Sequence, residues 1–143
     1  MPKSEVTCNA ILALIFNATA WADMAQNDGS GPNTDLYLSL HTAAPVGDVQ
    51  TSNEATFGSY ARIAIARTTG GWDVPSLGAT VNAALAQFAE CTSGSNVITH
   101  VAIGTASSGA GHILYSGALG ASRTISAGIQ PQFADSALTV TET

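Results

Sequence analysis

The segment GTASSGAGHILYSGAL, Gly104 to Leu119, carries part of the glycine spacing of a phosphate-binding loop. In such a loop two glycines five apart let backbone N–H groups cradle the phosphates, a following lysine reaches the β- and γ-phosphates, and a hydroxyl holds magnesium. Gly104 and Gly109 meet the spacing, but Ala110 stands where the lysine must be and Gly111 where the hydroxyl must be. The dinucleotide pattern fails too. Gly109 and Gly111 are followed by Leu114 at the third glycine position, and His112 to Tyr115 reads as strand, not as the opening of a helix. No nucleotide is expected here; the segment reads as a hairpin-like connection in which Gly104 ends one strand, Gly109 and Gly111 permit positive φ, and His112 starts the next.

Other residues capable of chemistry do not combine into a site. His41, His100 and His112 lie far apart and form neither HxxxH nor HExxH, so each reads as a strand-borne surface or interface histidine and no metal site is expected. No serine has the flanking glycines of a nucleophile elbow. Asp28, Asn33 and Asp35 around Gly29 and Gly31 offer oxygen ligands, but their spacing does not match a helix-loop-helix calcium site and turn formation explains them. Asn17-Ala18-Thr19 fits the glycosylation triplet, yet it falls within a helical pattern in a chain without a signal peptide. Cys8 and Cys91 obey no pairing motif and read as reduced, packed thiols of an intracellular product. No catalytic, cofactor-binding or metal-ligating residue is assigned, and the chain reads as a non-enzyme.

Charge narrows the partners. Ten acidic residues face four scattered basic ones, Lys3, Arg62, Arg67 and Arg123, for a net charge of −6. Nucleic-acid binding rests on clustered cations that release counterions, so that class is disfavoured. Only 10% of the 143 residues are charged, against the usual quarter or so. A low-charge surface rich in Ala, Ser and Thr is what remains when partner subunits cover much of the exterior. The apolar run Ala10 to Phe16 is too short to span a membrane, and nothing around it reads as a secretion signal.

The elements that must position these residues follow from periodicity. Ser4 to Gln26 reads as one helix with a stripe of Val6, Ala10, Leu14 and Trp21 widened by Ile11, Ile15 and Ala22; it ends before the turn formers Asn27 to Asn33. Trp21 is expected in the core, whereas Trp72 suits a rim contact as well as burial. From residue 34 the texture changes to short alternating runs. LYLSLH sends Leu36, Leu38 and Leu40 to one face and Tyr37, Ser39 and His41 to the other. Further runs are Tyr60 to Thr68, Ala86 to Cys91, Val97 to Gly104, His112 to Ala118, Arg123 to Ala127 and Gln132 to Thr141, separated by Gly and Ser clusters. The expectation is a single domain: a helix over 1–27, then a jelly-roll-like antiparallel β-sandwich of seven or eight strands over 34–143. Thr42 to Ser59 is a long irregular connection, a length usually kept for binding or for reaching across a surface.

Several phrases together resemble a family of small tailed-phage virion proteins. They are FNATAWADMA from Phe16, LYLSLHTAAP from Leu36, SYARIAIARTTGGWDV from Ser59, ITHVAIGTASSGAGHILYSGAL from Ile98 and GIQPQFADSALTVTE from Gly128. Members often carry the label tail fibre protein, and the family is similar to the jelly-roll capsid cement protein of a Bordetella podophage. The resemblance implies a cement or decoration protein on the outside of the phage head. It would act as a homodimer on the major capsid protein, bridging neighbouring capsomers, with no catalytic motif and no cofactor. The alternative is a tail fibre or tail-tip module that binds a host receptor. That role would favour exposed aromatics and a heptad-bearing stalk, and the chain has few aromatics and no heptad run.

Overall fold

The computed structural model describes residues 5–21, 33–47 and 49–142. Helix α1 spans Glu5–Phe16 and is followed by eight strands: β1 Asp35–His41, β2 Ile63–Ala66, β3 Ala79–Val81, β4 Ala86–Gln87, β5 Ser95–Gly104, β6 Ile113–Ser126, β7 Gln132–Phe133 and β8 Thr139–Thr141. Among the described residues the fold is therefore mainly β behind one N-terminal helix, and its antiparallel pairings are consistent with a β-sandwich. The strands form a four-stranded sheet in the order β2-β1-β5-β6 and two small sheets, β3-β8 and β4-β7.

Two compact units emerge, one within Met1–Asp35, Ile65–Ala86 and Phe133–Thr143, the other comprising Leu36–Ala64 and Gln87–Gln132. In the first, α1 ends at Phe16, where the periodicity predicts one helix over Ser4 to Gln26; residues 22–26 lie outside the described residues. Ala18 takes a left-handed φ of 51°, and the N–H groups of Asn17 and Thr19 both close on the Ala13 carbonyl. The orphan carbonyls of the last turn are then met by a cation from far along the chain: Arg67 donates through Nε to Ile15 O and through Nη2 to Leu14 O (2.7 Å). A guanidinium at the negative end of the helix dipole also stabilises it electrostatically. Trp21 consequently lies outside the helix and is half-buried.

The buried stripe of α1 is Cys8, Leu12 and Phe16, at i, i+4 and i+8, whereas Val6 is exposed. The predicted stripe is thus rotated. Phe16 packs edge-on against Trp72 with ring centroids 4.5 Å apart, so Trp72 is a core residue and not a rim contact. Burying each such side chain stabilises by about 1.5–3 kcal/mol. Asn82 ties this unit together. Its Nδ2 donates to Ala84 O and Ala134 O (both 2.7 Å), and its Oδ1 accepts from Leu138 N–H (2.8 Å), so a fully buried amide is satisfied on both ends.

The second unit is built on β1 and β5, antiparallel in the register Tyr37↔Gly104 to His41↔His100. β5 pairs in turn with β6. Where two strands broken at Gly117–Gly120 were expected, one continuous strand runs from Ile113 to Ser126. It absorbs the extra residues as a bulge between the pairs His100↔Ala118 and Ile98↔Arg123. Leu36, Leu38 and Leu40 are buried as predicted, but so are Ser39 and His41 on the opposite face.

Candidate functional site

The glycine hairpin and the long connection after β1 are locked to each other, and the lock explains both. Gln50 is fully buried. Its backbone N–H donates to Ala110 O (2.7 Å) and its side-chain Oε1 accepts from Ala106 N–H (2.9 Å). A Cβ on either Gly104 or Gly111 would overlap the Gln50 side chain. The glycines therefore leave room for a glutamine from the neighbouring loop rather than for a phosphate. Gly109 and Gly111 have φ of 71° and 50°, as the hairpin reading requires. Val49 bridges His112 beside this plug.

An ion pair secures the same two loops. Arg62 meets the Glu54 carboxylate through two parallel bonds, Nε to Oε1 (2.6 Å) and Nη2 to Oε2 (2.8 Å). Two further donors go to the glycine hairpin, Nη1 to Ala106 O (2.9 Å) and Nη2 to Gly109 O (2.7 Å). The Arg62 side chain is 3% exposed and that of Glu54 15%. The network extends back to the sheet, because Tyr60 donates its hydroxyl hydrogen to Glu54 Oε1 (2.9 Å) and accepts from Leu40 N–H (3.1 Å). Burial pushes the Tyr60 phenol well above its ordinary value, while the hydrogen bonds to Glu54 raise the Arg62 pKa further. Within the long loop, Thr42 N–H bonds Asn53 O (2.8 Å) and Asn53 Nδ2 bonds Ala44 O (2.9 Å). The exposed described residues of the two loops include Ala43, Ala44, Val46 and Gly47 on one and Ser107 to Ala110 on the other, none of them charged; Asp48 lies outside the described residues.

Beneath this lock lies a pair that resembles two-thirds of a hydrolytic triad. Ser39 Oγ is 2.8 Å from His41 Nε2, and His41 Nδ1 is 2.8 Å from the Ser52 carbonyl. Both side chains are sealed from solvent and the third partner is a neutral carbonyl, so the geometry describes a satisfied buried polar pair. This corrects the surface reading of His41. Alternation along LYLSLH was the available signal, since it puts Ser39 and His41 on one face. Burial lowers the His41 pKa, outweighing the Ser52 hydrogen bond and the nearby Glu54 that raise it. Below the ordinary value of 6.5 the unfolded chain takes up a proton that native His41 resists. Stability should therefore fall as pH drops through 6.5, by up to about 1.4 kcal/mol per pH unit until the native pKa is reached. Urea midpoints at pH 7.5 and 5.5 check this: His41→Gln should show a shallower loss than the parent, and equal slopes would refute it.

The remaining candidates stay apart. His100 is half-buried with Nδ1 2.8 Å from Thr99 Oγ1, and the backbone N–H of exposed His112 donates to Thr105 Oγ1 (3.0 Å). Asp35 accepts from the Thr34 hydroxyl (2.9 Å), and Asp28 lies outside the described residues. Asn17, just past the helix, donates from Nδ2 to Trp72 O (3.0 Å). Cys8 and Cys91 are buried and not joined. Among the described residues no group of three His, Cys, Asp or Glu side chains is placed to hold a metal. Nor is any helix there long and apolar enough to cross a membrane.

A family model described as "Podophage GP4 fiber I protein gp80" matches residues 2–141. No curated protein sequence matches the chain.

Proposed function

The chain belongs to the podophage GP4 fiber I protein gp80 family, and on that premise we propose that it is a non-enzymatic structural virion protein serving as capsid cement. In this reading it sits on the outside of the head, contacts the major capsid protein and bridges neighbouring capsomers, as the resemblance to the jelly-roll cement protein of a Bordetella podophage implies. The observation that carries it is the locked pair of loops. A buried Arg62–Glu54 pair and the Gln50 plug tie the two loops to each other, and their described exposed residues carry no charge, so little ordering entropy is lost when they dock. Contacts of this kind are apolar and backbone-rich. β6 suits them as well: it is the last strand of its sheet, exposed along most of its length, with Arg123 its one charge. Pairing of β6 edges would make the bound form a homodimer.

The second reading, a tail fibre or tail-tip module, is favoured by the family's description as a fiber protein. Against a receptor-binding face stands the burial of the aromatics: among the described residues every Phe, Tyr and Trp is buried or half-buried, so none forms an open stacking platform. Copy number in purified particles and in tail-less heads separates the two. Hundreds of copies retained on tail-less heads support cement, and a handful confined to tails supports the fibre. On either particle the protein should survive washing at about 1 M sodium chloride, where exposed charge pairs are screened within about 3 Å, and come off in guanidinium. Release by moderate salt alone would overturn the apolar-contact mechanism.

A further inference from the structure

The hairpin leading into β3 holds a backbone conformation that its residue disfavours. Ser76 and Ala79 exchange both backbone hydrogen bonds (2.9 and 3.0 Å), and the two residues between them, Leu77 and Gly78, have φ of 53° and 73°. Two left-handed residues in succession make the tight hairpin turn that Asn-Gly fills best, because an L side chain at the first position crowds its own backbone. Leucine there is an outlier, and it gains no burial in return: Leu77 is 79% exposed. Strain kept at a surface residue points to a role outside the folded chain.

The turn is also held firmly. Gly78 N–H donates to Asn9 Oδ1 of α1 (2.6 Å), and a Cβ on Gly78 would meet Cys8 Cβ and the Glu142 carbonyl. Val6, three residues before Asn9 and so one turn away on the same side of the helix, is 75% exposed; Val74, which leads into the turn, is 70% exposed. Among the described side chains of the segments framing these aliphatic groups, 6–16 and 73–81, the one charge is the exposed carboxylate of Asp73.

We infer that Leu77 is a docking anchor: the 76–79 turn, with Val6 and Val74 beside it, inserts into an apolar pocket with a basic rim on another virion protein. Charge selects that occupant over a second copy. Arg62 and Arg67 are engaged by bonds within their own units, which leaves Arg123 as the one other cation a copy could offer among the described residues. The inference rests on the reading of the chain as a structural virion protein, though not on whether the particle surface is head or tail.

The test is Leu77→Asn, made both in purified protein and in phage. Asn tolerates the left-handed region, so the purified variant should melt about 2–4 °C higher than the parent. Its copies per purified virion should fall at least about tenfold, as for loss of a central interface anchor. A docking residue gives this opposition of effects; a merely structural one lowers both. Ile129→Asn, at an exposed apolar site of the other unit, should leave occupancy unchanged. Full occupancy of Leu77→Asn, a lower melting temperature, or an equal loss with Ile129→Asn would each overturn the anchor. Dissociation of a solution homodimer by Leu77→Asn, seen in sedimentation, would make the occupant a second copy and overturn the basic-rimmed partner. Parent protein found on tails, with the Leu77→Asn loss intact, would sink the cement reading and leave the anchor standing. Absence of the parent protein from particles would overturn both.

Discussion

Replacing Arg62 by alanine is expected to lower the unfolding free energy by about 3–5 kcal/mol, the loss seen when one member of a buried pair is removed. The cause is less the lost attraction than what remains. Glu54, 15% exposed in the parent, would lose its bidentate partner, and the Ala106 and Gly109 carbonyls would lose their donors. Arg62→Lys should recover less than half, because an ammonium cannot make two parallel bonds to Glu54 while also reaching both carbonyls of the glycine hairpin. The double change Arg62→Met, Glu54→Gln should recover more than Arg62→Lys, since it removes both charges and leaves neither unpaired. Urea titration reads the free energies. Hydrogen exchange reads the loops, where the N–H groups of Gln50 and Ala106 should lose protection together. A loss below about 1 kcal/mol, the range of surface pairs, would mean the pair is solvent-screened and the loops are held by other contacts.

A loss of similar size, about 3–5 kcal/mol, is expected for Trp72→Ala in the other unit, from a large cavity beside Phe16. The edge-on ring pair at 4.5 Å and 65° would go with it. Trp72→Phe is the informative comparison. The indole Nε1 is buried without a hydrogen-bond partner, so phenylalanine keeps most of the packing and removes a desolvated donor. Its cost should be about 1–2 kcal/mol, well under that of alanine. The bond from Asn17 to the residue-72 carbonyl uses the backbone and survives both changes. Denaturation followed by far-ultraviolet circular dichroism checks the order. Equal losses for Ala and Phe would show that the N–H is satisfied and the size of the ring alone is not what matters.

Some of this protein was legible along the chain because the governing interactions are local. A change of apolar period from helical to alternating near residue 34 separated α1 from the strands. Gly109 and Gly111 marked a turn because only positive φ closes it, and Leu36, Leu38 and Leu40 marked the buried face of β1 because the strand period is two. The missing lysine at Ala110 removed phosphate chemistry before any fold was known. Contacts across long separations decided the rest. Helix α1 is apolar on most of its circumference, so its own residues could not choose between the Val6 and Cys8 stripes; docking of Phe16 on Trp72, 56 residues away, chose. The helix stops at Phe16 because Ala18 turns left-handed and Arg67 caps carbonyls 52 and 53 residues upstream. β6 runs through its glycines because β5 supplies a partner that accommodates the bulge. Gln50 and Glu54 look like ordinary loop polar residues until the fold brings Ala106, Gly104 and Arg62 around them. The Gln50 Oε1 acceptor and the Arg62–Glu54 pair find their partners only where distant segments converge, and that convergence is a property of the tertiary structure, not of any window of sequence.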